Sequence, residues 1–235
     1  MALDDLFPPV RSSEMNTPEQ VCCLKRSDLE SLFGTPLPQG GFQGPSLPQV
    51  LRLGQVFRPR PEAEGDPRLK QLIPYQLFCC QGRYFVYQRG GGVGEGRLAG
   101  RLSVGIGGHI NSGDASGDHL SPEGYEAALH RERQEELVCP TTLAADFIGW
   151  INDDANPVGQ VHLGAVHLCR TASETEVTIR PHGEDLHPQG WWTIGQIRES
   201  AERFEAWSLL ALDAVNGGNG GHGSNNSFQR SLPRR

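Results

Sequence analysis

Two runs of strand-forming residues, QLIPYQLFCC over 71–80 and RYFVYQR over 83–89, are separated only by Gln81 and Gly82. Aromatic and β-branched side chains suit a pleated backbone, and a two-residue link ending in glycine can close a tight hairpin. That hairpin fixes part of a sheet, and its surroundings fix the class. Val21 to Leu24, Leu102 to Ile110, Asp146 to Ile151 and Gln160 to Cys169 are further extended candidates, with Glu176 to Ile179 a weaker one. Helical patterns alternate with them. Ser27 can cap a short helix running through Phe33 to Gly34. Ser121, followed by Pro122 at the first helical position, opens a helix to Leu137 that Pro140 stops. After Trp191-Trp192-Thr193 one long helix is predicted, its apolar stripe running from Ile194, Ile197 and Ala201 through Phe204 and Ser208 to Ala211, Leu212 and Val215. Strands interleaved with helices predict a single α/β layered domain.

The 30 Gly and 17 Pro of this 235-residue chain gather at its ends and in loops. The folded domain is therefore expected over 19–215, between a polar, disordered stretch at 1–18 and a flexible Gly/Asn/Ser-rich tail at 216–235. Thr35 to Pro48 reads as loop. Gly90 to Gly96 lacks the strand-to-helix pattern with Lys-Ser/Thr that cradles phosphate, and reads as a mobile loop. A net charge of −7 argues against a broad nucleic-acid surface, although a local cation or metal could still hold a nucleotide. Cys22-Cys23, Cys79-Cys80, Cys139 and Cys169 show no C-x-x-C spacing, which points to reduced, structural thiols. The first residues lack a basic segment leading into an apolar run, and no stretch approaches the roughly 18 apolar residues of a membrane span. The expectation is a soluble cytoplasmic protein with no membrane association.

The chemistry concentrates in Arg131-Glu132-Arg133-Gln134-Glu135-Glu136. At about 100° per residue the three glutamates share a narrow arc of their helix with Tyr125, Ala128 and Leu129. An apolar stripe continuing into carboxylates predicts acids lining a cleft against the protein body rather than a solvated face. Like charges so spaced repel by a few tenths of a kcal/mol per pair, so the cluster calls for basic partners or cations, with Arg131 and Arg133 as part of the supply. Oxygen-only donors suit Mg²⁺ or Mn²⁺.

In that context the sequence resembles the Nudix hydrolase superfamily, whose signature is G-x5-E-x7-R-E-U-x-E-E-x-G-U, with U a bulky apolar residue. Gly117, Glu123, Arg131, Glu132, Glu135 and Glu136 meet the spacing, whereas Arg133 stands at the U and Val138 at the later glycine. The Gly-Gly pair that normally ends a strand in this family looks like Gly107-Gly108, so these are read as the structural equivalents and the loop from Asn111 to Leu120 as carrying an insertion. Glu123 lies about 180° around the helix from Glu132 and is the least secure ligand. Phe57, Lys70 to Tyr75, Tyr87 to Arg89, Ser103 to Asn111, Asn152 to Asp154 and Asn156 to Gly164 extend the likeness, over 20–215, to a bacterial branch of Nudix phosphoesterases.

The resemblance implies a Nudix-type α/β/α sandwich with a mixed sheet. It implies Mg²⁺- or Mn²⁺-dependent hydrolysis of a diphosphate linkage in a nucleoside diphosphate derivative, a small-molecule phosphoanhydride. Glu132, Glu135 and Glu136 would hold metal, and Arg131 would orient a glutamate. Glu135 or the later-loop Glu184 would accept the proton of the attacking water. Arg89, Gly107, Gly108 and His109 are candidates for the substrate side, with a surface arginine and a hydrogen-bonded structural histidine as the plain alternatives. Trp191 or Trp192 could stack on a base, one of them being core. His162 and His167, five apart on a strand, point to opposite faces and form no zinc site. Two further readings stay open: a Nudix enzyme acting on a non-nucleotide diphosphate, and an inactive module sensing a nucleotide or ADP-ribose. Retention of all three glutamates favours an enzyme. A homodimer is also open.

Overall fold

The computed structural model describes residues 18–91, 98–117, 119–181 and 185–217. The terminal segments expected to be disordered lie almost wholly outside these ranges, as do most of the glycine-rich loop and Glu184. The strands are β1 (Gln20–Lys25), β2 (Gly40–Phe42), β3 (Gln55–Pro59), β4 (Leu69–Cys80), β5 (Arg83–Arg89), β6 (Leu102–Ser103), β7 (Gly105–Gly107), β8 (Leu137–Val138), β9 (Ala145–Asn152), β10 (His162–Arg170), β11 (Thr178–Ile179) and β12 (Leu186–Thr193). The helices are α1 (Arg26–Phe33), α2 (Leu47–Leu51), α3 (Arg60–Ala63), α4 (Pro122–Glu136), α5 (Pro157–Gln160), α6 (Ile194–Glu199) and α7 (Ala206–Gly217).

Among the described residues ten strands form one mixed sheet whose main path is β12-β5-β4-β10-β9-β2, with β1 joining β3 to β4, and β6 and β7 adding to β5 and β4. β4 and β10 pair in parallel, and the other neighbours along this path pair antiparallel. The β4–β5 hairpin forms as the sequence predicts: Gln81 and Gly82 take φ of 49° and 79°, the left-handed turn that a two-residue link needs.

Alternation along the strands sends side chains into separate layers. Leu72, Leu163 and Ala165 pack with Tyr125, Ala128 and Leu129 of α4. Tyr75, Leu77, Val166 and Leu168 pack with Ile197, Ala211, Leu212 and Ala214 of α6 and α7. The sheet therefore carries helices on both faces, which is the α/β/α arrangement expected. All six cysteines are free, and Cys22, Cys23, Cys80 and Cys169 are buried, in keeping with structural thiols. Burial pushes the Cys22 and Cys23 thiols up to about 12, far from reactive thiolates.

Three local expectations need correction. The first short helix begins at Arg26 rather than after Ser27, although Gly34 does end it, its amide donating to Glu30 O at 2.9 Å. The segment read as loop from Thr35 to Pro48 holds β2 and the start of α2. β2 is a strand because β9 supplies its partners, and Gly41 lets α7 approach so closely that a Cβ there would lie 1.7 Å from Leu210 O. Neither cause is local in sequence. Finally, the long C-terminal helix is broken. α6 stops at Glu199, a single turn covers Ala201–Arg203, and α7 starts only at Ala206. Phe204 bridges Leu102, and the Glu205 amide donates to Leu102 O at 3.0 Å, so tertiary hydrogen bonds replace the helical ladder there.

Candidate active site

α4 carries the glutamates, and its own ends and underside explain where they point. Ser121 Oγ accepts the Gly124 amide at 3.1 Å and caps the first turn. Tyr125, Ala128 and Leu129 are fully buried beneath the helix. Gln76 Nε2 donates to Leu129 O at 2.9 Å, and Tyr125 Oη meets His167 Nε2 at 2.8 Å, tying the helix to β4 and β10. With that face fixed, Glu132, Glu135 and Glu136 open onto a cavity of about 430 Å³.

Arg131 organises the acidic wall. Its Nη1 donates to Glu132 Oε1 at 2.7 Å and to Glu135 Oε1 at 3.3 Å. Its Nη2 donates to His109 O at 2.9 Å and to Asp114 Oδ2 at 2.8 Å. Burial pushes the Glu132 carboxyl up from its usual value, with Arg131 pulling against it. Glu135 is the freest of the three, its side chain 54% exposed against 13% for Glu132. Arg133 plays no part in this compensation. It is two residues on, about 200° around the helix, and is 1% exposed with Nη1 donating to Leu143 O at 2.9 Å. Its long buried stem fills the place where the signature has an apolar residue. Glu123 is exposed in the first turn, away from the cavity, and Gly117 (φ 66°) serves a turn with open space around it.

Gly107 ends β7, and Gly108 follows it beside the glutamate helix. A Cβ at Gly107 would lie 2.7 Å from Pro74 O, and one at Gly108 would lie 1.9 Å from Glu132 Oε2. Only glycine lets the β7 exit run this close to both the sheet and the glutamate helix. His109 follows them into the cavity wall. Burial, with Arg60 and His162 nearby, lowers its imidazole to about 3, so it is neutral. His162 also lines the cavity, its ring centroid 5.7 Å from that of His109, and burial lowers its pKa. Its Nδ1 lies 2.7 Å from Val158 O, which can only accept, so the proton sits on Nδ1. His167 lies on the other side among Tyr125 and Phe147, as the strand spacing predicts.

Arg89 also lines the cavity, and its Nε donates to Glu205 Oε2 at 3.1 Å. Glu205 is 6% exposed and accepts in addition from Tyr75 Oη at 3.1 Å and Ser103 Oγ at 2.5 Å. Sequence reasoning missed Glu205 because it was placed within a continuous helix. Neither predicted tryptophan lines the cavity: Trp191 packs in the core on Phe85, and Trp192 packs on Phe204. Trp207 lines it with Tyr75 and Tyr87, edge-on to Tyr75 at 5.7 Å.

Among the described residues no three His, Cys, Asp or Glu side chains converge closely enough to share a metal ion as they stand. The reason at the glutamates is visible, since Arg131 reaches between Glu132 and Glu135. The donor set nevertheless suits a hard divalent cation: Asp114, Glu132 and Glu135 contact one guanidinium, Glu136 lines the same cavity, and the exposed Glu135 has room to turn. Glu184 lies outside the described residues. No helix among the described residues is long and apolar enough to cross a membrane.

No protein-family model matches the chain. Protein YmaB of Bacillus subtilis (strain 168) is 32% identical to it over 158 residues, which cover 66% of this chain and 75% of YmaB. The crystal structure of Tm1382, a protein assigned to the Nudix hydrolases, superposes with a TM-score of 0.68 at 25% identity. That superposition spans 84% of this chain and 98% of Tm1382.

Proposed function

Because this chain belongs to the Nudix hydrolase superfamily, we propose that its cavity hydrolyses a diphosphate linkage in a nucleoside diphosphate derivative with the help of Mg²⁺ or Mn²⁺. The observation that carries this reading is the convergence of Glu132, Glu135 and Glu136 with Arg131, Arg89 and His109 on one cavity. Glu132, Glu135 and Glu136 would hold the cation, whose chemistry is to offset phosphate charge and make the attacking water more acidic.

The chain's own groups supply the rest. Glu135, at the most exposed position on the wall, accepts the proton of the attacking water as the new O–P bond forms and the bridging O–P bond breaks. Arg131 touches Glu132 and Glu135 rather than facing open solvent, so its work is to orient carboxylates. Arg89, held by Glu205 at the cavity wall, is placed to meet phosphate oxygens. The backbone at Gly107-Gly108 brings the β7 exit against the glutamate helix and sets the cavity floor.

The test is a metal-dependent phosphate-release screen over nucleoside di- and triphosphates, nucleotide sugars, dinucleotide polyphosphates and coenzyme A. Turnover of at least one compound, abolished by EDTA and by Glu136→Gln in a folded protein, is the expected result. Full activity in EDTA overturns the metal mechanism. Full activity in both Glu135→Gln and Glu136→Gln overturns the site assignment. Binding of a nucleotide without turnover of any compound would make the chain a sensor.

A further inference from the structure

Between Ile110 and α4 the chain runs through the loop from Asn111 to Leu120, and its Asp114 belongs to none of the signature positions. The loop is anchored to the helix it precedes. Asn111 N donates to Asp114 Oδ2 at 2.8 Å, closing the single turn Ser112–Asp114. A Cβ at Gly124 would lie 2.2 Å from Asp114 O, so the loop backbone presses directly onto the first turn of α4 where glycine leaves space. That contact sets the Asp114 carboxylate, 11% exposed, along one edge of Arg131. Oδ2 accepts from Nη2 at 2.8 Å and Oδ1 from Nε at 3.3 Å, the forked geometry in which a guanidinium holds a carboxylate best.

The other edge of the same guanidinium serves the cavity, Nη1 reaching Glu132 at 2.7 Å and Glu135 at 3.3 Å. Three carboxylates thus compete for one cation, and only two of them line the cavity. We propose that Asp114 is a positioning residue that draws the guanidinium of Arg131 toward this loop, leaving Glu132 and Glu135 available to a divalent ion. This rests on the metal reading of the cavity given above. Without the Asp114 charge, Arg131 has only the two glutamates as ionic partners, and an incoming ion has to displace it from both. A loop residue of merely structural importance would change the folding of the loop without setting the charge left on the glutamates.

The experiment measures Mn²⁺ binding to the full chain by calorimetry or electron paramagnetic resonance, in the absence of substrate, beside thermal unfolding of the metal-free protein. Groups that orient metal ligands are worth about ten- to a hundred-fold in affinity, so Asp114→Asn is expected to bind Mn²⁺ about ten-fold more weakly. In the double variant Asp114→Asn/Arg131→Gln the competing cation is gone, and most of the lost Mn²⁺ affinity is expected to return, the remainder reflecting the orienting contacts of Arg131 to Glu132 and Glu135. Asp114→Ser serves the same comparison if the asparagine variant does not fold. Equal binding by the parent and the single variant overturns the inference, as does a loss that the double variant fails to regain. A parent that binds no Mn²⁺ overturns the metal reading itself and this inference with it.

Discussion

Glu205 Oε2 accepts from Arg89 Nε at 3.1 Å, joining the break between α6 and α7 to the end of β5 at the wall of the cavity. Both side chains are largely buried, at 6% and 15% exposure. Removing one partner of such a pair leaves the other desolvated. Glu205→Gln is therefore expected to destabilise the fold by about 3 kcal/mol and, by loosening Arg89, to raise the Michaelis constant more than it lowers turnover. Urea unfolding and steady-state kinetics check the two effects separately. An unchanged unfolding midpoint would show that the pair is not held as tightly as its burial indicates.

Gly107 and Gly108 are neighbours with different obstacles, and their alanine variants should fail differently. At Gly108 the added methyl group meets Glu132 Oε2 at 1.9 Å, the far end of a side chain that can swing away. Gly108→Ala is expected to fold but to misplace Glu132, at a cost on the order of a hundred-fold in turnover, as misplacement by about an ångström can bring. At Gly107 the obstacle is the Pro74 backbone carbonyl at 2.7 Å, which cannot swing. Gly107→Ala is expected to lose about 1–3 kcal/mol of stability, the usual cost of overpacking. Parallel melting curves and rate measurements distinguish the pair, and the same phenotype in both would refute the distinction.

Those glycines were legible in the sequence through the family resemblance, which calls for a Gly-Gly pair at a strand end ahead of the glutamate helix. α4 was legible as well: its cap at Ser121, its buried face and its carboxylate arc all follow from periodicity within one helix. Glu205 and Asp114 were not legible. The stripe from Ile194 to Val215 is a sound amphipathic pattern, and local propensity gives no sign that Leu102, about a hundred residues earlier, would take the Glu205 amide. Asp114 looked like any acid in a polar loop until Gly124 was seen to admit the loop against the helix. Gly40 to Phe42 became a strand for a similar reason, since β9 and α7 define it. Patterns within an element could be read; contacts that join distant elements needed the folded chain.

His167 is 3% exposed, and burial lowers its imidazole to about 4, against an ordinary value of 6.5. As pH falls below 6.5 the unfolded chain takes up a proton at this position while the folded chain does not. Stability must then fall with pH between about 6.5 and 4, and level off for this group once the folded state is also protonated. His167→Gln removes the titration, though it also changes the contact with Tyr125 Oη. The expected signature is a shallower slope of unfolding free energy against pH in this window, whatever the absolute stability of the variant. A slope identical to that of the parent would assign the acid sensitivity to other groups, His109 foremost, whose imidazole burial lowers to about 3.

Lys70 is fully buried behind Gly159 of the cavity lining, its Nζ donating to Asn152 Oδ1 at 2.6 Å, Asp154 Oδ1 at 2.8 Å and Gly159 O at 2.8 Å. Burial lowers its pKa, and Asp154 opposes that shift. Burial would raise the Asp154 carboxyl, but hydrogen bonds from Arg26, Lys70 and Gln39 outweigh it and hold the group well below the usual carboxylate range. Asp154 therefore contributes stability above its unfolded value of about 3.8, lost as pH falls toward the folded one. Lys70→Met preserves the apolar stem but leaves Asn152 and the Gly159 carbonyl without their donor, at an expected cost of about 3 kcal/mol. Asp154→Asn should remove part of the acid sensitivity. Because each residue is the other's ionic partner, the double variant should lose less than the two single losses combined, by about 1–3 kcal/mol. Chemical denaturation of the four proteins gives that coupling directly. Additive losses would show that the hydrogen bonds to Asn152 and Gly159, rather than the ion pair, anchor Lys70 beside the cavity.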